Sequence, residues 1–343
     1  MTSITSSDRK KLRLLLSLLN EKDQPNDNAL IEVVRNIPLV NLNIKTLGYE
    51  LARQLAEAMP VPAATASRFV GLSCKPSIQA DIESDWVRHW CSQLQTPVVF
   101  HRKIWELAYV LQAIFEGGHM AAGARGLGFG CGVEPIPSYL AAQGIDVTMT
   151  DLTADRAFEA GWAATNQHAE TLAAAHHAHL VAREIFDERV SLRNVDMNAI
   201  PEDLVGYDFC WSICALEHLG TIARGFDFVE NSLRTLRPGG LSVHTTEFNI
   251  NPVGETIDNW PTVLFQRKHF EQLAQRLTAQ GHQVAPLDFF LGDKPMDRFV
   301  DLPPYHHDLP ADMTDWLGEP RHLKVGVDGF PCTCFGILVR KAV

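Results

Sequence analysis

The stretch Gly126-Leu127-Gly128-Phe129-Gly130-Cys131-Gly132-Val133-Glu134 constrains this chain most, because four glycines alternate with other residues. Glycine lets a backbone turn sharply and lets a ligand touch it. Pro135 and Pro137 follow and open the helical run Ser138-Tyr139-Leu140-Ala141-Ala142. Proline suits the first turn of a helix, where its missing N–H is not needed. The loop is therefore expected to leave a strand and enter a helix, with free backbone N–H groups at the turn. Such a turn receives a nucleotide-like or anionic ligand.

The spacing narrows the ligand. A dinucleotide fingerprint requires G-x-G-x-x-G or G-x-G-x-x-A. The third position is Cys131 counted from Gly126, Val133 from Gly128 and Pro135 from Gly130, so no frame fits. No G-K-S or G-K-T ending is present for a phosphate-cradling loop.

From Ala124 onward strands and helices alternate, which predicts an α/β fold. The second strand, Asp146–Thr150, ends at Asp151, about 20 residues past the loop, where a carboxylate can accept from both ribose hydroxyls. Capping of the next helix is the other reading of Asp151. A third strand spans Val190–Val195 and ends at Asp196-Met197. A fourth runs from Tyr207 to Ser212 and leads into Ile213-Cys214-Ala215-Leu216-Glu217-His218-Leu219. Leu236-Arg237-Pro238-Gly239-Gly240 precedes a fifth strand from Leu241 to Thr246.

Together these segments resemble class I S-adenosylmethionine-dependent methyltransferases, over roughly residues 100 to 343. The resemblance implies a Rossmann-like, seven-stranded sheet flanked by helices, with residues 101–343 as the methyltransferase domain and 1–100 as a mainly helical extension or cap. It implies S-adenosyl-L-methionine as cofactor, held by Gly126, Gly128, Gly130, Gly132, Asp151, Leu152, Asp196, Met197 and Ser212. Asp196 would accept from the adenine amino group, with Met197 packing on the ring. The family carries an acid two positions before the first glycine of G-x-G-x-G. Here Gly126 occupies that place, and Glu134 is the candidate replacement as partner for the cofactor's ammonium. Arg102 or Lys103 would meet the cofactor carboxylate or an acidic acceptor. The wording around His101–Glu106 and Cys214–Gly220 is similar to bacterial methyltransferases of surface-polysaccharide and glycan assembly. The expected acceptor is therefore a hydroxyl of a sugar or glycan, or another small polar molecule.

A sugar hydroxyl is a poor nucleophile and needs a base. His218 is the first candidate, since imidazole titrates near neutral pH. His244 is the second. Glu217 and Glu247 would orient the histidine or bind Mg2+ through oxygen, although no clear ligand set defines a metal site. Two rival readings remain. One is a nicotinamide-dependent oxidoreductase, against which the failed fingerprint speaks. The other is a cofactor-binding partner protein without catalysis.

The remaining features are less specific. The net charge of −11 works against nucleic acid as a partner. No apolar run is long enough to span a membrane, and the polar N-terminus has no signal-peptide profile. With seven cysteines, an odd count, free thiols and a cytoplasmic location are expected. Residues 1–60 read as helices, with apolar runs at Leu12–Leu19, Ile31–Val40 and Thr46–Met59. They form either a cap or, on a rival reading, an acceptor lid or the contact of a homo-oligomer. Trp86 and Trp90 suit one face of a short helix, and Ile104–Phe115 a longer one. The alanine-rich segment from Thr153 to Arg183 reads as helix. It carries Trp162, Asn166, Gln167 and His168, and then His176 and His179 as a weak metal pair. The polar stretch from 292 to 319 is long for a connection, and its Tyr305, His306 and His307 would suit an acceptor lid. Cys332-Thr333-Cys334 has the wrong spacing for a zinc knuckle and reads as strand.

Overall fold

A computed structural model describes residues 6–24, 26, 36–60, 66–153, 171–305, 308–309 and 311–343. Helices α1 (Ser6–Ser17), α2 (Asn36–Ala58), α3 (Gln79–Ile82), α4 (Asp85–Gln93) and α5 (Arg102–Glu116) precede the alternating part. There follow β1 (Arg125–Phe129), α6 (Ile136–Ala142), β2 (Asp146–Asp151), α7 (Arg183–Arg189), β3 (Val190–Asn194), β4 (Tyr207–Ile213), α8 (Ile222–Arg234) and β5 (Leu236–Asn249). The last part holds α9 (Arg267–Ala279), β6 (Gln283–Val284), α10 (Pro295–Arg298), β7 (Val300–Asp301), α11 (Ala311–Leu317), β8 (Lys324–Val327) and β9 (Phe330–Arg340).

The strand order is β3-β2-β1-β4-β5-β9-β8-β7, with β6 also paired to β9. The first five strands are parallel and β9 runs antiparallel to β5. This is the expected Rossmann-like α/β sheet, with nine strands among the described residues rather than seven. The additions lie beyond β9. Asp328 and Gly329 both have positive φ (+47° and +85°), the geometry of a two-residue hairpin turn. That turn pairs β8 with β9, and β7 then joins β8. The stretch read as one long connection therefore contains α10, β7 and α11.

Parallel strands must be covered on both faces, and two apolar clusters do this. One holds Trp86, Trp90, Trp105, Ile136, Tyr139, Phe186 and Trp211, from α4 to α7 and β4. The other holds Phe226, Phe228, Phe265, Phe270 and Phe335, around α8 and α9. Both tryptophan N–H groups at the α4–α5 contact are satisfied: Trp90 donates to Gln112 at 2.7 Å and Trp105 to Asp81 at 2.8 Å.

Other expectations change. The Pro238-Gly239-Gly240 turn lies inside β5, as an irregularity where the pairing with β4 shifts. Of the expected extended run 283–290, only Gln283–Val284 is strand. Helix α2 begins within the second apolar run and continues through the third, and its Lys45 and Tyr49 reach Asp301 on β7. His176 and His179 lie in a turn after the short 3-10 helix Leu172–Ala175, not on a long helix. The His176 ring bonds the Val181 carbonyl at 2.9 Å. Trp162, Asn166, Gln167, His168, His306 and His307 lie outside the described residues.

Candidate active site

Strand β1 ends at Phe129, so the ligand-facing turn begins later than the glycine spacing alone suggests. Gly126 and Gly128 are inside the sheet, opposite Phe209 and Trp211 of β4. A Cβ on Gly126 would stand 2.6 Å from the Phe209 ring, and one on Gly128 would stand 2.5 Å from the Trp211 indole. These two glycines make room for aromatic rings and do not line the cavity described below. The turn proper is Gly130-Cys131-Gly132, with φ of +59° at Gly130 and +51° at Gly132. Left-handed backbone of this kind favours glycine.

Strand β2 fixes the turn. The Cys131 N–H donates to the Thr150 carbonyl at 3.1 Å, and the Thr150 hydroxyl donates to the Gly128 carbonyl at 2.9 Å. The Gly132 N–H donates to Asp151 Oδ2 at 3.1 Å, and the Leu152 N–H donates to Asp151 Oδ1 at 2.8 Å. His177 adds a bond to the Val133 carbonyl at 2.8 Å.

Above the turn a cavity of about 780 Å3 opens at the carboxyl ends of β1, β2, β3 and β4. Ligands of open α/β sheets bind at this edge. Gly130, Gly132, Glu134, Asp151, Leu152, Asp196, Met197 and His218 all line it. Ser212 and His244 do not. They are fully buried register partners on β4 and β5, bonded Oγ to Nδ1 at 2.8 Å. The other imidazole nitrogen of His244 meets Ser242 Oγ at 2.7 Å, and burial pushes this histidine down to about 3. His244 is thus a neutral packing residue, because the alternation of β5 turns it into the core.

His218 closes a short 3-10 turn, Leu216–His218. Its Nδ1 lies 3.1 Å from the Pro261 carbonyl, which only accepts, so the proton sits on Nδ1 and Nε2 is the basic nitrogen. Burial pushes His218 down to about 4, so it is neutral at pH 7. Glu217 is fully buried and outside the cavity lining, with Oε2 accepting from the Thr246 hydroxyl at 3.0 Å. Burial, and then the nearby Glu247, push Glu217 up to about 8.

A charged cluster forms one wall. Lys103 lines the cavity and pairs with Glu106 at 3.2 Å. Burial opposes the ammonium, but Glu106 outweighs it and holds Lys103 above its ordinary range. Burial would also raise Glu106, yet Lys103 and Arg102 keep it below the usual carboxylate range. Arg102 turns away from the cavity and pairs with Glu247. Burial pushes Glu134 up to about 8 despite Lys103, and its Oε2 is buried without a hydrogen-bond partner.

The cavity also takes in residues that the sequence did not mark, among them His101 and Cys214. His101 had a signal: it caps α5, its Nδ1 accepting from the Lys103 N–H at 3.0 Å. Cys214 had none. It follows β4 with φ of +46°, which nothing in its residue type suggests. Tyr305 lies away from the cavity, its hydroxyl bonded to the Gly326 carbonyl beside Asp301.

No protein-family profile matches the chain. No curated protein matches it. Solved structures do match, at low identity. One is phosphoethanolamine N-methyltransferase 2 from Haemonchus contortus, with S-adenosyl-L-methionine (17% identity, TM-score 0.39, 68% of this chain and 52% of that one). A second is an S-adenosylmethionine-dependent methyltransferase from Mesorhizobium loti (17% identity, TM-score 0.37, 65% and 93%). A third is the [4+2]-cyclase SpnF (18% identity, TM-score 0.41, 70% and 84%). The chain is similar to all three.

Proposed function

We propose that the cavity binds S-adenosylmethionine and that the protein transfers its methyl group to a small polar acceptor. One observation carries this reading: a left-handed glycine turn at the end of β1 shares a cavity with acids at the ends of the next two strands, Asp151 and Asp196. The residues present fit such a cofactor. A Cβ on Gly130 would approach Ala215 Cβ at 3.0 Å and Met197 Sδ at 3.6 Å, so only glycine leaves that part of the cavity open. The buried, partnerless Glu134 Oε2 suits an ammonium group.

In this reading Asp151 accepts from the ribose hydroxyls, Asp196 from the adenine amino group, and Met197 packs on the ring. Glu134 faces the ammonium, and Lys103 the carboxylate of the cofactor or of an acceptor. When bound, S-adenosylmethionine supplies a methyl group on a positively charged sulfur, already carrying its leaving group. The chain's own task is to hold the acceptor in line and exclude water. His218, neutral with Nε2 unprotonated, takes the acceptor's proton, and its lowered value makes it a weaker base than the ordinary imidazole expected from the sequence. A sugar hydroxyl is the acceptor we favour, because it must shed a proton on methylation and His218 on the cavity wall can receive it.

Calorimetric titration with S-adenosylhomocysteine and with NAD tests the cofactor. Heat is expected with the first only, and Asp151→Ala should weaken it at least tenfold, on the scale of a lost charge-assisted hydrogen bond. Heat with NAD alone would end the proposal. Mass spectrometry of cell-envelope sugars, with and without this protein, tests the acceptor. Loss of one methylation step supports the sugar, and unchanged sugars remove it.

A further inference from the structure

Behind Cys214, where the cavity wall meets β5, two glutamates each present one idle oxygen. Glu217 is fully buried and Glu247 is 5% exposed. One oxygen of each is engaged: Glu217 Oε2 accepts from Thr246, and Glu247 Oε1 pairs with Arg102. The other oxygens, Glu217 Oε1 and Glu247 Oε2, are buried with no hydrogen-bond partner. Leaving buried carboxylate oxygens unpaired is unfavourable unless something completes them. One ligand atom each of Cys214, Glu217 and Glu247, a carboxylate oxygen in the two glutamates, lies within 4.8 Å of the other two. Ligands around a tetrahedral dication stand roughly 3–4 Å apart, given metal–ligand distances of about 2.0–2.3 Å.

A neighbouring set, Glu106, Cys214 and Cys334, is equally compact. Its carboxylate, however, is already satisfied. Glu106 Oε1 accepts from the Cys334 thiol at 2.9 Å, and Oε2 accepts from Thr245 at 3.1 Å and pairs with Lys103. The idle oxygens select the first set.

We propose that Cys214, Glu217 and Glu247 form a binding site for a thiophilic divalent cation, with Zn2+ as the ion the donors favour. Two glutamates alone would suit Mg2+, which prefers oxygen throughout. A thiolate turns the preference toward zinc and its neighbours. Cys214 binds as the thiolate, its proton passing to solvent. Arg102 and Thr246 hold the two carboxylates in place through their other oxygens, as supporting groups around metal ligands commonly do. Entry is through the cavity, because Cys214 is only partly buried and lines it. A hydroxyl or thiol that reached the bound ion from the cavity would be acidified. The site stands whether or not the cofactor reading holds.

The test uses the full chain stripped with EDTA and titrated with Co2+, with S-adenosylhomocysteine binding measured on the same preparation. One equivalent of Co2+ should bind and give a thiolate-to-cobalt charge-transfer band in the near ultraviolet. Zn2+ should displace it, and a hundredfold excess of Mg2+ should not. Cys214→Ser should abolish the band, and the isosteric Glu217→Gln should weaken Co2+ binding at least tenfold while the stripped variant melts like the stripped parent. If Cys214→Ser does not fold, Glu217→Gln decides. An unchanged band in Cys214→Ser, unchanged affinity in Glu217→Gln, no saturation at one equivalent, or displacement by Mg2+ would each overturn the site. Loss of S-adenosylhomocysteine binding alone would count against the cofactor and not the metal.

Discussion

Glu134 and His218 show how far local chemistry departs from what a residue type suggests. Both are titratable groups on the cavity wall, and burial drives them in opposite directions, up to about 8 and down to about 4. The shared cause is the cost of charge in a poorly hydrated site. If Glu134 meets an ammonium, Glu134→Gln should weaken S-adenosylmethionine-type ligands about tenfold or more, since bonds to charged groups contribute roughly 1.5–3 kcal/mol. Calorimetry would read this, and an unchanged dissociation constant would remove Glu134 from the site. If His218 is the base, His218→Ala should slow transfer by about 10²–10⁴, with a far smaller effect on cofactor affinity. Undiminished transfer would pass the proton to another group.

At the scale of the element, β1 and its turn divide the glycines by task. Gly126 and Gly128 face rings across the β1–β4 pair, whereas Gly130 and Gly132 bend the chain. The two kinds should fail differently. Gly128→Ala places a methyl 2.2 Å from Cys131 Sγ and 2.5 Å from Trp211. Overpacking of this kind costs about 1–3 kcal/mol, so the melting temperature should fall. Gly130→Ala keeps the core intact but forces a left-handed alanine, a strain of about 1–2 kcal/mol, and fills the cavity beside Met197. It should therefore lose ligand affinity ahead of stability. Thermal melts and ligand titrations of both variants check the division; a Gly128→Ala protein that melts like the parent would refute the packing account.

At the scale of the whole molecule, buried titratable groups set the expected pH dependence of stability. Burial lowers His244 to about 3 and His269 to about 4, from an ordinary 6.5. Above pH 6.5 both are neutral folded or unfolded; below it the unfolded chain takes protons first, and stability falls with pH. Glu134 acts with the opposite sign. Its folded value of about 8 lies above the ordinary 4.5, so the unfolded chain ionises first and stability falls as pH rises through that window, levelling off above 8. Glu217, also raised to about 8, acts with Glu134, and His218, lowered to about 4, acts with the other two histidines, so between 4.5 and 6.5 the three histidines outweigh the two acids. The melting temperature should peak near pH 6.5, and Glu134→Gln should make the alkaline side less steep, with Glu217 supplying the remainder. Calorimetric scans across this range test it, and a melting temperature that climbs steadily from neutral to alkaline pH would contradict it.

The sequence by itself determined the alternating α/β architecture, the strand ends that carry Asp151 and Asp196, and the bend that follows β1. Each depends on local rules: apolar runs, proline at a helix start, glycine where backbone must turn. It also marked Asp151, Asp196, Glu134 and His218, which the fold gathers around one cavity. Only the tertiary structure decided which glycines bend and which make room, because that depends on Phe209 and Trp211 arriving from a strand far along the chain. In the same way it removed Ser212 and His244 from the cavity, since a strand residue's facing is fixed by its neighbours' packing. The β8–β9 hairpin at Asp328-Gly329 and its place beside β5 came only from the structure, for strand order is set by long-range pairing. Cys214 and Glu217, just after β4, meet Glu247 only once β5 is docked beside β4, because groups distant in sequence share a site only through the fold.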